Sequence, residues 1–374
     1  MVRDAKTNLS KTSLGSYTTF YWGEGSLKIK PCNGCARPGK VLQSLLFTPA
    51  FYPMQTPREV IHNTITFNNP DRLGYTFPDP YGSDMFGQWF YPSPDGRPGR
   101  GGGTDEWGAV WENIGVSTLG EVKQYPLLSW DDFSNLKIPD IRAPGRFDPI
   151  RGARERAGDQ FLYGGGMSIY ERVHFIRGLE NTWADIYNEP ENLCKLLDIL
   201  VDMNLYVIEQ FAAEQYDGII FGDDWGLQDR LMISPAKWRE IWKPRYAKMF
   251  AAAHAGGMRT MLHSCGHIVE IMDDLIEAGL DVVHMDQQEN MGLDLLSKRF
   301  AGRITFFSCA DIQTILPTNN PGLIRAYCRE MVRKLGTPRG GFIARWYTDP
   351  EGVGHKREAI NVMCEEFLNI GTFE

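Results

Sequence analysis

Residues 260–287, TMLHSCGHIVEIMDDLIEAGLDVVHMDQ, contain an apolar run, a polar turn, an amphipathic segment and a second apolar run. The apolar runs, at 259–263 and 281–285, have the length of buried strands, and the segment between them has the period of a helix. Two short buried strands joined by a helix are typical of a parallel βα unit. The stretch therefore predicts two neighbouring parallel strands that end near His263 and Met285.

The same alternation continues from residue 57 to the end of the chain. Further apolar runs lie at 73–77, 161–165, 218–222, 304–308 and 341–344, with a weaker one near 107–111. Segments with a helical apolar stripe lie between them, at 190–212, 234–250 and 321–336. Seven or eight βα units over about 300 residues fit a (β/α)8 TIM-type barrel better than an open doubly wound sheet.

The first fifty-three residues differ from the rest because they show no sustained period of either helix or strand. We expect residues 1–53 to be a non-barrel extension, either a poorly structured arm or sequence upstream of a start at Met54. Thr56 followed by Pro57 predicts the first helix of the folded part. The barrel domain is therefore predicted to span 54–374.

Charge and hydropathy narrow the class of protein. The formal net charge of -8 argues against nucleic-acid binding, which requires a basic surface. No apolar run approaches the ~20 residues of a membrane span, and the N-terminus lacks a signal-type apolar core. The seven cysteines are scattered in a chain too large to need disulfides. We therefore expect a cytoplasmic globular protein.

A polar cluster follows nearly every later apolar run. These clusters are DDW at 223–225, HSC at 263–265, DQQ at 286–288, CADIQ at 309–313 and RWYTD at 345–349. In a (β/α)8 barrel the carboxyl ends of all strands meet at one mouth, where active sites are built. The order of elements therefore predicts that these side chains share one pocket.

Several segments resemble the uroporphyrinogen decarboxylase superfamily, which contains that decarboxylase and many corrinoid-linked methyltransferases. They are TPREVIHNTITFNNPDRLGYTFP at 56–78, TDEWGAVWEN at 104–113, GDDWGLQDRLMISPAKWREIWKPRY at 222–246, the HSCG turn at 263–266 and FFSCADIQTILP at 306–317. The resemblance runs from about residue 56 to the end and implies a (β/α)8 barrel. The Gly-His-Gly turn of the decarboxylase is replaced here by residues that include Arg345, Trp346 and Tyr347, and the acidic mouth would repel a polycarboxylate substrate. The chain is thus closer in character to the methyltransferase-like members.

The resemblance to those members implies a zinc site, because their His-x-Cys pair matches His263 and Cys265. Residues two apart at a strand end face the same side, so both can reach one tetrahedral Zn²⁺. The family's later cysteine is absent, and Cys309 is the available third ligand, with Asp224 or Asp311 as alternatives. Without a metal, the pair would be a packed strand end with an inert thiol.

The chemistry of the remaining polar side chains suggests catalytic and substrate-binding roles for them. We expect one carboxylate of Asp223 and Asp224 to face the lumen and transfer a proton, while the other holds a loop, and Tyr347 is a further catalytic candidate. The candidates for substrate binding are Trp225, Gln287, Asp311, Gln313 and Arg345. Aspartates in such turns also serve as loop caps, and large aromatic residues are often core. His284, inside a strand, is expected to be a core histidine with satisfied hydrogen bonds.

These interpretations predict a zinc-dependent enzyme that moves a methyl group between a small methylated compound and a separate corrinoid protein. The corrinoid must come from a partner, because the chain contains no Asp-x-His-x-x-Gly motif. The alternative is a metal-free decarboxylase, a carbon–carbon lyase acting on a small or porphyrin-like carboxylate. A third hypothesis is a barrel that binds a ligand without catalysis. Whether the chain forms a homodimer is left open by the sequence.

Overall fold

The computed structural model describes residues 20–23, 26–29, 54–98, 102–113, 120–348, 350 and 353–373. The chain divides into two compact units, Met1–Pro53 and Met54–Glu374. In the first unit, strands β1 (Phe20–Gly23) and β2 (Ser26–Ile29) pair in antiparallel fashion. The rest of the predicted arm lies outside the described residues.

The second unit alternates strands with helices. Its strands are β3 (Gly74–Thr76), β4 (Met85–Gly87), β5 (Gly103–Thr104), β6 (Val110–Asn113), β7 (Gly120–Gln124), β8 (Phe161–Gly165), β9 (Gly218–Gly222), β10 (Arg259–His263), β11 (Val282–Met285), β12 (Thr305–Ser308) and β13 (Phe342–Arg345). Its helices are α1 (Pro57–Ile65), α2 (Ala153–Ala157), α3 (Glu171–Arg177), α4 (Leu179–Asn188), α5 (Pro190–Ala213), α6 (Pro235–Ile241), α7 (Lys243–Ala255), α8 (Val269–Glu277), α9 (Leu293–Phe300), α10 (Pro321–Leu335) and α11 (Arg357–Ile370).

Eight of these strands form one sheet in the order β3-β13-β12-β11-β10-β9-β8-β4. All the paired neighbours in this sheet run parallel. The two outer strands, β3 and β4, are consecutive in the chain, and a 2.8 Å hydrogen bond from the Asp84 N–H to the Tyr75 carbonyl joins them. The sheet is therefore a nearly closed barrel surrounded by helices, and the predicted (β/α)8 architecture is confirmed.

The second barrel strand differs from the prediction. The weak apolar run near 107–111 was expected to supply a barrel strand, but β6 belongs to a separate three-stranded antiparallel sheet with β5 and β7. The barrel strand in that place is β4, which has only three residues and one glycine. Such a short segment carries no detectable alternation.

The predicted helix at 234–250 is also divided in two. Ser234 caps α6 by accepting a hydrogen bond from the Lys237 N–H, as the Ser-Pro start predicted. The helix ends at Ile241, and α7 begins at Lys243 with Pro244 in its first turn. Pro244 has no N–H and its ring collides with the carbonyl four residues earlier, so one helix cannot continue through it.

Helix α1 closes the amino-terminal end of the barrel. Its Ile61 and Ile65 belong to the apolar cluster in the barrel interior. The carbonyl of Thr64 accepts a 3.0 Å hydrogen bond from Gly341, directly before β13, and the Arg58 N–H donates to Asp159, two residues before β8. The amino-terminal end of the lumen is therefore covered by α1. In the described part of the chain, no helix combines the length and apolarity of a membrane span.

Candidate metal centre and active site

Three polar side chains form the layer directly above the apolar interior of the barrel. Each lies two residues after an apolar residue of the same strand that packs in the barrel interior. Residues two apart in a strand share a face, so each of these polar side chains also projects into the lumen. These side chains are His263 on β10, His284 on β11 and Arg345 on β13. The period of the strands thus predicts the inward direction of the His263 ring, and it places His284 beside it.

Asp224, His263 and Cys265 converge at the mouth. Nε2 of His263 lies 3.4 Å from Sγ of Cys265 and 3.5 Å from Oδ1 of Asp224. The same carboxylate oxygen accepts a 2.8 Å hydrogen bond from the Cys265 N–H, which fixes its position. One ligand atom from each residue lies within 4.8 Å of the other two. A thiol, an imidazole and a carboxylate therefore face one point.

This donor group fits a zinc ion. An ion bound tetrahedrally at about 2.1–2.3 Å separates its ligand atoms by roughly 3.4–3.7 Å, and the distances around His263 lie in that range. Burial, with the charges of Asp224 and Asp286, raises the pKa of Cys265. A divalent cation reverses this effect because it stabilises the thiolate. Nδ1 of His263, the ring nitrogen that does not face this centre, is buried with no hydrogen-bond partner among the described residues.

Two glycines hold the loops that carry Asp224 and Cys265 against each other. The Gly226 N–H donates a 3.1 Å hydrogen bond to the Cys265 carbonyl, and the His267 N–H donates to the Leu227 carbonyl. A Cβ atom at Gly226 would lie 2.3 Å from the His267 nitrogen. Gly266, with a φ of +75°, would place a Cβ only 2.2 Å from the Gly226 carbonyl oxygen. The two backbones can approach this closely only without side chains.

Asp223 points away from this centre. Its fully buried carboxylate accepts hydrogen bonds from three consecutive backbone N–H groups, those of Ile169, Tyr170 and Glu171, at 2.7–3.1 Å. It also accepts a 2.6 Å bond from the hydroxyl of Tyr246. Burial raises the pKa of Asp223 to about 7, against these hydrogen bonds, which favour the ionised form. Asp223 thus holds the start of α3, and Asp224 is the member of the pair in the mouth.

Asp286, Arg345 and Cys309 form a buried group at the ends of the next strands. Arg345 donates to Oδ1 of Asp286, and Sγ of Cys309 donates to the same oxygen at 3.3 Å. Burial opposes ionisation, but Arg345, with smaller contributions from His284 and His263, holds the pKa of Asp286 well below its usual range. Cys309, expected as the third zinc ligand, is fully buried and does not belong to the group formed by Asp224, His263 and Cys265.

His284 departs from the expected core histidine with satisfied hydrogen bonds. Neither of its ring nitrogens has a hydrogen-bond partner within the described ranges, although the residue is only 9% exposed. Its ring centroid lies 4.5 Å from that of His263 and 5.1 Å from that of Phe307. Burial and the nearby charge of Arg345 lower the pKa of His284 to about 3. The imidazole is therefore neutral and keeps a lone pair at neutral pH.

Two of the candidates for substrate binding lie in structural positions. Trp225 is fully buried and stacks on Tyr170 with ring centroids 3.8 Å apart, so its ring packs in the core and does not line the mouth. Asp311 is also fully buried, and its carboxylate accepts hydrogen bonds from the N–H groups of Glu289, Gln313 and Thr314. Asp311 therefore caps this loop, and both of its carboxylate oxygens are occupied by these hydrogen bonds.

The other candidates are closer to solvent. Oε1 of Gln287 accepts a 2.8 Å hydrogen bond from the Gly266 N–H, so Gln287 supports the loop that carries Cys265. Gln313 is exposed. Tyr347 is half-buried, and burial with the charge of Asp286 raises its pKa to about 12. The Tyr347 hydroxyl therefore keeps its proton at neutral pH and can donate a hydrogen bond.

Glu171 is a mouth residue to which sequence reasoning gave no role in proton transfer. It begins α3, after the third barrel strand, and Arg97 lies 3.4 Å from its carboxylate. Burial and the neighbouring charge of Asp224 raise the pKa of Glu171 to about 8, against the opposing charge of Arg97. A carboxyl group that stays protonated at neutral pH can act as an acid. Its position after a barrel strand is the signal that could have identified it.

Comparisons with known structures agree with the architecture. A methyltransferase from Methanosarcina mazei shares 15% sequence identity with this chain and has a TM-score of 0.61, covering 84% of this chain and 99% of its own. The GH18 chitinase ChiB of Flavobacterium johnsoniae reaches a TM-score of only 0.36 at 10% identity, covering 62% of this chain and 81% of its own. At these identities, the similarity to the methyltransferase shows a shared fold and no more.

The sequence comparison is more specific. No curated protein sequence is significantly similar to this chain. Residues 115–345, however, match the family described as uroporphyrinogen decarboxylase (URO-D). The match includes β8 to β13, and with them Asp224, His263 and Cys265. Because it spans well over half of the sequence, this chain belongs to the uroporphyrinogen decarboxylase family.

Proposed function

We propose that this protein transfers a methyl group between a small methylated compound and the cobalt of a separate corrinoid protein. In this proposal a zinc ion is held by Asp224, His263 and Cys265. The observation that carries it is the convergence of these three side chains, 3.4–3.5 Å apart around Nε2 of His263, in the mouth of a URO-D family barrel. The fold shared with the Methanosarcina mazei methyltransferase supports the same choice.

Asp224 replaces Cys309 as the third ligand in this proposal. Cys309 donates its thiol hydrogen to Asp286, which is already paired with Arg345. Asp224, in contrast, is partly exposed and already oriented toward His263 by the Cys265 N–H. A site with three protein ligands leaves one position for a substrate atom, as catalytic zinc sites require.

The zinc ion and two nearby side chains would have different roles in the reaction. When bound, the zinc ion would act as a Lewis acid on the heteroatom that carries or receives the methyl group. Glu171, protonated near neutral pH and near enough to Asp224 to be affected by its charge, would give a proton to a heteroatom that leaves as an anion and take one back in the reverse direction. The Tyr347 hydroxyl can orient the same substrate by donating a hydrogen bond.

The features that a decarboxylase would need are less well supported. A substrate with several carboxylates requires cations that are free to bind it. Arg345, the arginine at the end of the last barrel strand, is buried and paired with Asp286. The carboxylate of Asp224 would also repel such a substrate. These observations favour methyl transfer over a metal-free carbon–carbon lyase.

Elemental analysis and a methyl-transfer assay together test the proposal. Purified full-length protein is expected to contain zinc and to methylate free cob(I)alamin with at least one donor from a panel of methoxyaromatics, methylamines and methylated thiols. Cys265→Ser should abolish the transfer, whereas Cys328→Ser, which alters a buried cysteine of α10, should not. Full methyl-transfer activity after metal removal would refute the zinc site, and protein that contains no zinc and transfers no methyl group would favour the lyase.

A further inference from the structure

His284 is a buried side chain that makes none of the hydrogen bonds available to it. A neutral imidazole has one N–H donor and one acceptor nitrogen, and leaving both unmade in a protein interior is costly. The residue is 9% exposed, and both ring nitrogens lack a hydrogen-bond partner in the described part of the chain. The ring is therefore available as a metal ligand.

Asp286 supplies an oxygen next to this ring. Oδ1 of Asp286 is engaged by Arg345 and by the Cys309 thiol, whereas Oδ2 lies 3.7 Å from Nε2 of His284. This separation is too long for a hydrogen bond. It equals the spacing of roughly 3.4–3.7 Å between two ligand atoms on a tetrahedral ion. Arg345 and Cys309 hold the carboxylate in this orientation from the opposite side.

His263 supplies the third donor. It pairs with His284 across adjacent strands β10 and β11, and one ligand atom of each histidine and of Asp286 lies within 4.8 Å of the others. We propose that His263, His284 and Asp286 form a second metal-binding position, on the β11 side of His263. This position shares only His263 with the proposed zinc site at Asp224 and Cys265, and it does not depend on methyl transfer. When both positions are filled, Nε2 of His263 binds one metal and Nδ1, which has no hydrogen-bond partner among the described residues, releases its proton and binds the other.

The donor set selects the kind of metal. Two imidazoles and one carboxylate suit Zn²⁺ or Co²⁺, whereas Mg²⁺ and Ca²⁺ prefer all-oxygen sites. The positive charge of Arg345 beside Asp286 further weakens attraction for a hard cation that binds mainly by charge. The position is thus expected to bind first-row transition metals and to reject Mg²⁺.

The competing explanation is that His284 only packs against Phe307. The substitution His284→Phe distinguishes metal binding from packing, because phenylalanine keeps an aromatic ring but provides no metal ligand. We would titrate metal-free, full-length protein with Co²⁺, measure the bound metal by elemental analysis, and follow the thiolate-to-cobalt charge-transfer absorption. If the second metal-binding position exists, His284→Phe should bind less Co²⁺ than the wild type while its thiolate absorption persists.

Two results would overturn this inference. One is a folded His284→Phe variant that binds as much Co²⁺ as the wild type. The other is a variant that loses the thiolate absorption together with the metal, because His284 would then belong to the Cys265 site. Thermal unfolding checks that His284→Phe folds. If His284→Phe does not fold, the same measurements are made on His284→Gln, which keeps a polar side chain of similar length.

Cys265→Ser separates a failure of this inference from a failure of the proposed function. It should remove the thiolate absorption and leave the Co²⁺ that depends on His284. His263→Ala should reduce binding at both positions, since both use this ring. A wild type without any thiolate absorption would refute the zinc site of the proposed function, while the comparison of His284→Phe with the wild type would still decide the second position.

Discussion

The Tyr246 hydroxyl donates a 2.6 Å hydrogen bond to the carboxylate of Asp223. The same hydroxyl accepts a 3.1 Å bond from Nε1 of Trp225. All three side chains are fully buried, so α7 is connected through Tyr246 to the carboxylate that holds the start of α3. This link explains how one aspartate of an adjacent pair is structural while the other remains in the mouth.

Tyr246→Phe should therefore destabilise the protein. The substitution leaves the Trp225 N–H without a partner and removes one of the two hydrogen bonds to Oδ2 of Asp223, at a cost of about 1–3 kcal/mol. Urea unfolding would measure the loss in the free energy of unfolding. Tyr187→Phe is the control, because Tyr187 is 65% exposed and its substitution should change the stability by less than about 0.5 kcal/mol. Equal stabilities of the two variants would contradict the assignment.

Asp223→Asn and Asp224→Asn should have opposite effects. Asparagine at 223 cannot accept three backbone N–H groups and a hydroxyl at once, so we expect a loss of at least ~2 kcal/mol of stability with zinc binding retained. Asparagine at 224 should leave stability nearly unchanged but weaken zinc binding by at least the ~10–100-fold that loss of a hydrogen-bond partner of a ligand costs. Thermal unfolding and competitive zinc titration measure the two effects. A shared loss of stability with equal zinc affinities would refute this division of roles.

Zinc binding should become tighter as the pH rises. The raised pKa of Cys265 keeps the metal-free thiol protonated at neutral pH, so each zinc that binds must release this proton. The expected gain in affinity is about tenfold per pH unit below that pKa. Zinc titrations at pH 6, 7 and 8 measure it, and a pH indicator reports the released proton. Cys265→Ser should lose the proton release, and a pH-independent affinity of the wild type would rule out thiolate coordination.

Glu171→Gln should change the response to pH. Because the pKa of Glu171 is raised to about 8, the folded protein holds this proton more tightly than the unfolded chain. Its contribution to stability is complete below about pH 4.5 and declines as the pH rises toward 8, by at most about 1.4 kcal/mol for each pH unit. The glutamine variant should lack this decline in stability. In the wild type, methyl transfer should decrease above pH 8 as Glu171 loses its proton, and the variant should not show that decrease. Parallel stability curves for the two proteins would show that Glu171 is not protonated.

Gly226→Ala should disturb the metal centre without touching a ligand. The added methyl group would collide with the backbone at Gly266 and His267, so the two ligand loops must separate. We expect weaker zinc binding and a stability loss of about 1–3 kcal/mol. Gly222→Ala is the matched control, because a Cβ atom there meets nothing within 4 Å. The prediction fails if both variants bind zinc as the wild type does.

The sequence predicted the barrel where strands are long enough to show an apolar run. Strands β9 and β10 begin and end where their runs begin and end, at 218–222 and 259–263. Strand β4 was missed because three residues that include a glycine show no period. The short helices α6 and α7 were predicted as one because the apolar stripe continues across Pro244.

The candidate site was predictable in its location but not in its orientations. The position of polar residues after strands placed His263, Cys265 and Asp224 in one mouth, since that depends only on topology. Whether Asp223 or Asp224 faces the lumen depends on the backbone of the loop that follows β9. The partner of Cys309 likewise depends on Arg345, 36 residues later, whose charge fixes Asp286.

The position of α1 sets an order of events for the proposed reaction. With the amino-terminal end filled by Ile61 and Ile65, the small compound and the corrinoid protein must use the same entrance. A protein docked over that entrance blocks passage to the lumen, so the small substrate must enter first and its product can leave only after the partner dissociates. Steady-state kinetics should accordingly show ordered binding, and an excess of the corrinoid protein should inhibit the enzyme by sealing the empty barrel.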